Sequence, residues 1–145
     1  MNNGVKYFVT AESVIKDKWE SPTIVRIFNS LGSETVPTKP KMAVAFTFIP
    51  RDLGKKDLEI KVQITDLDDN PIITYRSKVI TDEGTYEAPP KGLSPEVASS
   101  IDLTDSLELP KFGVYKAKLF YENEQIAETR FELEKKSKAK KVTKK

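Results

Sequence analysis

Apolar and polar residues alternate along most of this chain. Leu58, Ile60, Val62 and Ile64 are interleaved with Glu59, Lys61, Gln63 and Thr65, and Tyr115, Ala117, Leu119 and Tyr121 with Lys116 and Lys118. Ala127, Thr129, Phe131 and Leu133 are separated by Glu128, Arg130 and Glu132. A period of two puts every apolar side chain on one face of a strand, which then needs a core to lie against. The β-branched and aromatic stretches 5–10 and 23–31 predict two more strands, and 72–80 and 98–104 another two. Residues 42–49 are apolar at both parities, which predicts a central strand or one covered by a neighbour. No stretch keeps a 3.6-residue period over about ten residues. Ser94-Pro95-Glu96 predicts at most a single helical turn, with Ser94 as cap and Pro95 in the first position. Prolines punctuate the chain at 21–22, 37–40 and 88–95. Many short strands between such breaks predict an all-β sandwich or barrel.

Side-chain parity constrains the hairpins, because cross-strand partners share a face. Pairing Tyr121 with Gln125 sets Leu119 opposite Ala127, Ala117 opposite Thr129 and Tyr115 opposite Phe131, and predicts the loop Glu122-Asn123-Glu124. A two-residue turn there would aim Glu128 and Arg130 at the core. In the earlier hairpin, pairing Ile64 with Tyr75 and Ile60 with Val79 requires an even loop. Pro71 disfavours a tight Asp69-Asn70 turn, so a loop over Asp68–Pro71 is expected.

The missing residue types narrow the chemistry. With no histidine and no cysteine among 145 residues, the chain has no imidazole base, no Ser-His-Asp or Cys-His nucleophile and no His/Cys zinc set. The lack of cysteine also places it most simply in a reducing, cytoplasmic compartment. Its first residues show no basic-then-apolar leader, so no signal peptide is expected. The apolar run at 42–48 is far short of the ~20 residues that cross a bilayer as a helix, so no transmembrane segment is expected. The net charge of +2 conceals a division: residues 135–145 hold seven lysines and no acid, which leaves 17 basic against 22 acidic residues in the body, a net of −5. Residues 1–134 therefore read as one domain and 135–145 as a disordered basic tail.

Few residues stand out as sites. Asp66, Asp68, Asp69 and Asn70 have the oxygen donors of a cation loop or a carboxylate pair, but they lack the Gly and distal Glu of a calcium loop, and Asp and Asn are what a hairpin turn ordinarily uses. Asp82-Glu83-Gly84 reads as a second acidic turn, and Lys55-Lys56 after Gly54 as a loop tip. Most aromatics sit at core parity, which favours packing over base stacking. Trp19, beside Lys18 and Glu20 in a polar break, is the exception: a candidate partner contact or a plug over the end of the sandwich. Lys135, Lys136, Lys138, Lys140, Lys141, Lys144 and Lys145 are candidates for binding nucleic acid or an anionic surface, the competing reading being a solubilising tail. No catalytic, metal-binding or cofactor-binding residues emerge, and no cofactor is expected.

Leu109-Pro110-Lys111-Phe112-Gly113-Val114-Tyr115, followed by a closing hairpin, resembles the late strands of immunoglobulin-like sandwiches, where the Tyr hydroxyl ties back to the main chain at a corner. Tyr7-Phe8-Val9-Thr10-Ala11-Glu12-Ser13-Val14, the break at 17–22 and Thr23-Ile24-Val25-Arg26-Ile27-Phe28-Asn29 resemble a family of small uncharacterised prokaryotic proteins over about residues 5–134. Asn123 stands where that family usually has Gly in the last hairpin. The resemblance implies an immunoglobulin-like β-sandwich, here of about eight strands, and no activity. Three functions follow as expectations: a non-catalytic protein-interaction or structural module; a binder of anionic polymers through the tail; and an enzyme working with carboxylates alone, since glycoside hydrolysis needs no histidine.

Overall fold

The computed structural model describes residues 5–16, 22–48, 57–80 and 97–136. Trp19, Lys55-Lys56, the turn at 82–84, the Ser94–Glu96 segment and the lysines from 138 onward lie outside the described residues. The described elements are all strands: β1 (Tyr7–Lys16), β2 (Pro22–Ile27), β3 (Ser30–Ser33), β4 (Ala43–Phe48), β5 (Asp57–Asp66), β6 (Pro71–Ile80), β7 (Val97–Asp102), β8 (Gly113–Tyr121) and β9 (Glu124–Lys135). They form a four-stranded sheet in the order β2-β1-β4-β7 and a five-stranded sheet in the order β3-β9-β8-β5-β6.

The alternating positions become the core between the sheets. Ile60, Val62 and Ile64 of β5, Tyr115, Ala117, Leu119 and Tyr121 of β8, and Phe131 and Leu133 of β9 are buried against Phe8, Val44, Phe46 and Ile101 of the other sheet. Phe8 meets Phe46 edge-on at 6.3 Å. β4, apolar at both parities, lies between β1 and β7 and is buried on both faces, its second face formed by Ala43, Ala45 and Thr47. Leu103, Leu107 and Leu109 leave β7 in a turned segment and fill the same core.

The predicted strand over 23–31 is two strands. Arg26 adopts a positive φ of 55° and bends the chain. Phe28 then exchanges bonds with Thr10: its N–H donates to the Thr10 carbonyl at 3.0 Å and its carbonyl accepts from the Thr10 hydroxyl at 2.7 Å. The Phe28 ring drops edge-on against Phe131, and at Ser30 the chain joins the other sheet, parallel to β9. This crossing raises the strand count to nine.

Both hairpins keep the predicted faces; the last keeps its predicted register as far as Leu119, and the β5–β6 hairpin does not keep its own. In the last one Tyr115, Ala117 and Leu119 do face Phe131, Thr129 and Ala127, yet Tyr121 pairs with Glu124 rather than Gln125. The turn is the two-residue Glu122-Asn123, both at positive φ (51° and 70°), as a mirror-type hairpin turn requires. A β-bulge opposite Leu119/Phe120 absorbs the extra residue, so Ile126 joins the core and Glu128 and Arg130 still point outward. In the β5–β6 hairpin Ile64 faces Ile73 and Ile60 faces Ser77, two residues from the expected partners. The loop is Leu67–Asn70, not Asp68–Pro71, because Pro71 itself pairs with Thr65 across a bulge and Asp69, rather than Asn70, takes the positive φ of 66°.

Tyr115 enters β8 just after Gly113, and its hydroxyl donates to the Lys111 carbonyl at 2.5 Å and accepts from the Lys111 N–H at 3.1 Å. A corner tyrosine at the start of this strand, the strand order β5-β8-β9 beside it and the neighbouring pair β4-β7 opposite reproduce the C-F-G and B-E arrangement of an immunoglobulin-like sandwich.

Candidate functional site

The acidic loop at 66–70 is a built turn. Asp66 Oδ1 accepts from the N–H groups of Asp68 (2.8 Å) and Asn70 (2.9 Å), and Oδ2 from the Asn70 side-chain amide at 2.9 Å. The bonds from Asn70 and Asp68 hold its carboxyl below the usual carboxylate range, the opposite of what a general acid needs. Asp69 reaches across to β8, where Lys118 Nζ (2.6 Å) and Lys116 Nζ (3.1 Å) share its Oδ1. These two bonds lower its pKa as well. The loop borders a cavity of about 250 Å³ beside the tyrosine corner, whose titratable lining is Asp66, Asp68, Lys111 and Tyr115. Asp66 is thus committed to the turn and Asp69 to the two lysines of β8. Among the described residues no group of three or more His, Cys, Asp or Glu side chains is placed to hold a metal, and no helix is long and apolar enough to cross a membrane.

A second cavity, of about 290 Å³, lies where β1 approaches β9 and has no titratable group in its lining of Val9, Thr10, Ile27, Phe28, Asn29 and Thr129. A third, of about 240 Å³, sits by β3. The titratable lining of the third is one carboxylate, Glu12, and two cations, Arg26 and Lys41.

The sequence candidates within the described residues are Lys135 and Lys136, both exposed at the end of β9. Their backbone position is well defined: Lys135 pairs with Ser33 of β3, and the Lys136 N–H donates to the Ser33 carbonyl at 2.9 Å. The Lys136 methylenes cross Gly32, where a β-carbon would collide with them. The lysine run therefore starts from a defined point on the sheet margin next to β3. Trp19, the other candidate contact, lies outside the described residues.

The outer face of the five-stranded sheet has an uneven distribution of charge that the sequence reading did not single out. Lys116 and Lys118 are matched by Asp69, and Arg130 lies 3.4 Å from Glu128. Lys61 sits 4.2 Å over the Phe120 ring. On β6, at the margin of the sheet, Arg76 and Lys78 are exposed. Beside them Tyr75, at core parity opposite the fully buried Val62, is 42% exposed. The signal was in the sequence, as Thr74, Arg76 and Lys78 alternating with Ile73, Tyr75 and Ser77, but only the strand order shows that it falls on an edge.

A search among curated proteins finds no match. Among solved structures, the chain is similar to an immunoglobulin-like protein (PA1606) from Pseudomonas aeruginosa, at 10% identity and a TM-score of 0.41, over 91% of this chain and 98% of that one. At the level of sequence families the assignment is direct: residues 6–134 match the family of unknown function DUF6941, and the chain belongs to it.

Proposed function

We propose that this protein is a non-catalytic interaction module of the cytoplasm that binds a protein partner through the open margin of its five-stranded sheet. One observation carries the reading. At β6 a core-parity aromatic, Tyr75, is 42% exposed next to exposed Arg76 and Lys78, a mixture of apolar anchor and charged rim that suits protein recognition. The cysteine-free composition suits a reducing compartment. Affinity capture from native lysate, with and without nuclease, tests it. Protein partners retained after nuclease are expected; capture that disappears with nuclease refutes it.

That second outcome would favour a binder of anionic polymers through the tail. Its support is the contrast between the seven tail lysines and a body of net −5.

A further inference from the structure

The margin at β6 can be read in more detail, resting on the interaction-module reading above. Glu59 of β5 spends both main-chain groups on the side away from β6: its N–H donates to Glu122 Oε2 at 2.9 Å and its carbonyl accepts from the Glu122 N–H at 3.0 Å. Glu59 lies opposite Lys78. In an antiparallel ladder residues alternate between pairs that bond each other and pairs whose main-chain groups point away. Lys78 therefore turns its N–H and C=O away from β5, and so do Arg76 and Thr74, which face Lys61 and Gln63 at the same parity. Among the described residues no strand lies on that side of β6. The open edge is a strand of ten residues, longer than the edge strands β2, β3 and β7.

The side chains specify what would fit. Thr74, Arg76 and Lys78 are exposed on the outer face, with Lys61 next to Arg76, against one carboxylate among the described side chains of β5 and β6 there, Glu59. On the inner face Ile73 is half-buried and Tyr75 exposed. A strand added here would set one alternate set of its residues beside the cations and the other beside Ile73 and Tyr75. A second copy of β6 would bring Arg76 and Lys78 of each chain onto one ladder, and like charges on neighbouring strands repel. Charged residues are also how edge strands resist indiscriminate pairing. We infer that β6 is a docking edge for an extended segment of another protein in which acidic and apolar residues alternate, held by main-chain bonds to Thr74, Arg76 and Lys78.

The probe is a blocked eight-residue peptide alternating Glu and Val, with its Lys/Val counterpart as control, added to the ¹⁵N-labelled full chain. The Glu/Val peptide is expected to slow hydrogen exchange at the amides of Thr74, Arg76 and Lys78 by about tenfold or more near saturation, and the Lys/Val peptide to leave them unchanged. In the R76E/K78E variant the preference should reverse. Because both side chains are exposed, that variant should unfold at the parent's denaturant midpoint, which verifies its fold. No protection at these three amides with millimolar Glu/Val peptide, or equal protection by both peptides, overturns the proposal. If the Glu/Val peptide instead protects amides elsewhere on the body, the docking edge fails, and a protein partner still captured after nuclease would leave the interaction module standing without its site at β6. If the β6 amides are protected but lysate capture is nuclease-sensitive, the edge survives and that reading fails.

Discussion

Replacing Tyr115 separates the two things this side chain does. Its ring is 3% exposed and stacks on Phe131, centroids 5.6 Å apart and planes 20° from parallel. Its hydroxyl satisfies both main-chain groups of Lys111. Tyr115→Phe keeps the ring and strands that N–H and C=O. An unsatisfied buried group costs about 1–3 kcal/mol, and the Lys111 groups lie close enough to solvent to recover part of this, so about 1–2 kcal/mol is expected. Tyr115→Ala also removes the ring from a fully packed position and should cost about 3–5 kcal/mol. Equilibrium unfolding in urea, followed by far-UV circular dichroism, reads both. With a slope of about 2 kcal/mol per molar, the midpoint should fall by about 0.5–1 M for Phe and 1.5–2.5 M for Ala. Burial also raises the Tyr115 hydroxyl pKa above the ordinary value of 10.0. A group whose folded-state pKa is raised stabilises the fold below its unfolded pKa and loses that contribution as pH rises through the folded value. The advantage of wild type over Tyr115→Phe should therefore shrink above pH 10. An unchanged midpoint for Tyr115→Phe would show that water replaces the hydroxyl at no cost, and an unchanged midpoint for Tyr115→Ala would refute the corner and the β8–β9 register together.

Three further outcomes are expected. Gly113 has a φ of 136° with nothing within 4 Å of where a β-carbon would stand, so Gly113→Ala should cost about 1–3 kcal/mol through backbone strain alone, measured by the same unfolding assay. The Asp69 carboxyl, lowered first by Lys118 and then by Lys116, should titrate below the ordinary aspartate value of 3.8 in a carbon-detected NMR titration; its stabilising effect is present above that value and lost as pH falls through the folded pKa, and Asp69→Asn should abolish it at every pH. If the seven tail lysines engage phosphates, log affinity for duplex DNA should fall with log salt at a slope of about −4 to −6, and a chain ending at Glu134 should not bind; equal binding by both chains would move the site to the body.

Which face each residue takes was legible in the chain. Alternation has a period of two, so it determines whether Ile60, Val62, Leu119 or Phe131 points inward whatever the strand pairs with, and all four are buried. The tyrosine corner was legible for the same local reason: Lys111, Gly113 and Tyr115 are close enough in sequence for one motif to close the contact. Register was legible only in part, because parity specifies a pairing only to within steps of two: Tyr115, Ala117 and Leu119 met the expected partners, whereas the β5–β6 pairs did not. The β5–β6 hairpin slid by such a step and kept its faces once the Asp66 side chain organised the turn. The β8–β9 hairpin met the same parity with a tighter turn and a bulge at Ile126, a solution that depends on room for one more side chain in the core. Contacts distant in sequence decided the rest. Residues 23–31 look like one strand until Thr10 and Phe131 draw Phe28 out of the first sheet. Thr74, Arg76 and Lys78 look like an ordinary solvated face until the strand order places them on an edge. Side-chain chemistry is local and can be read along the chain, whereas a strand's neighbour is set by packing among residues far apart in sequence, and that is decided only when the two sheets close on a common core.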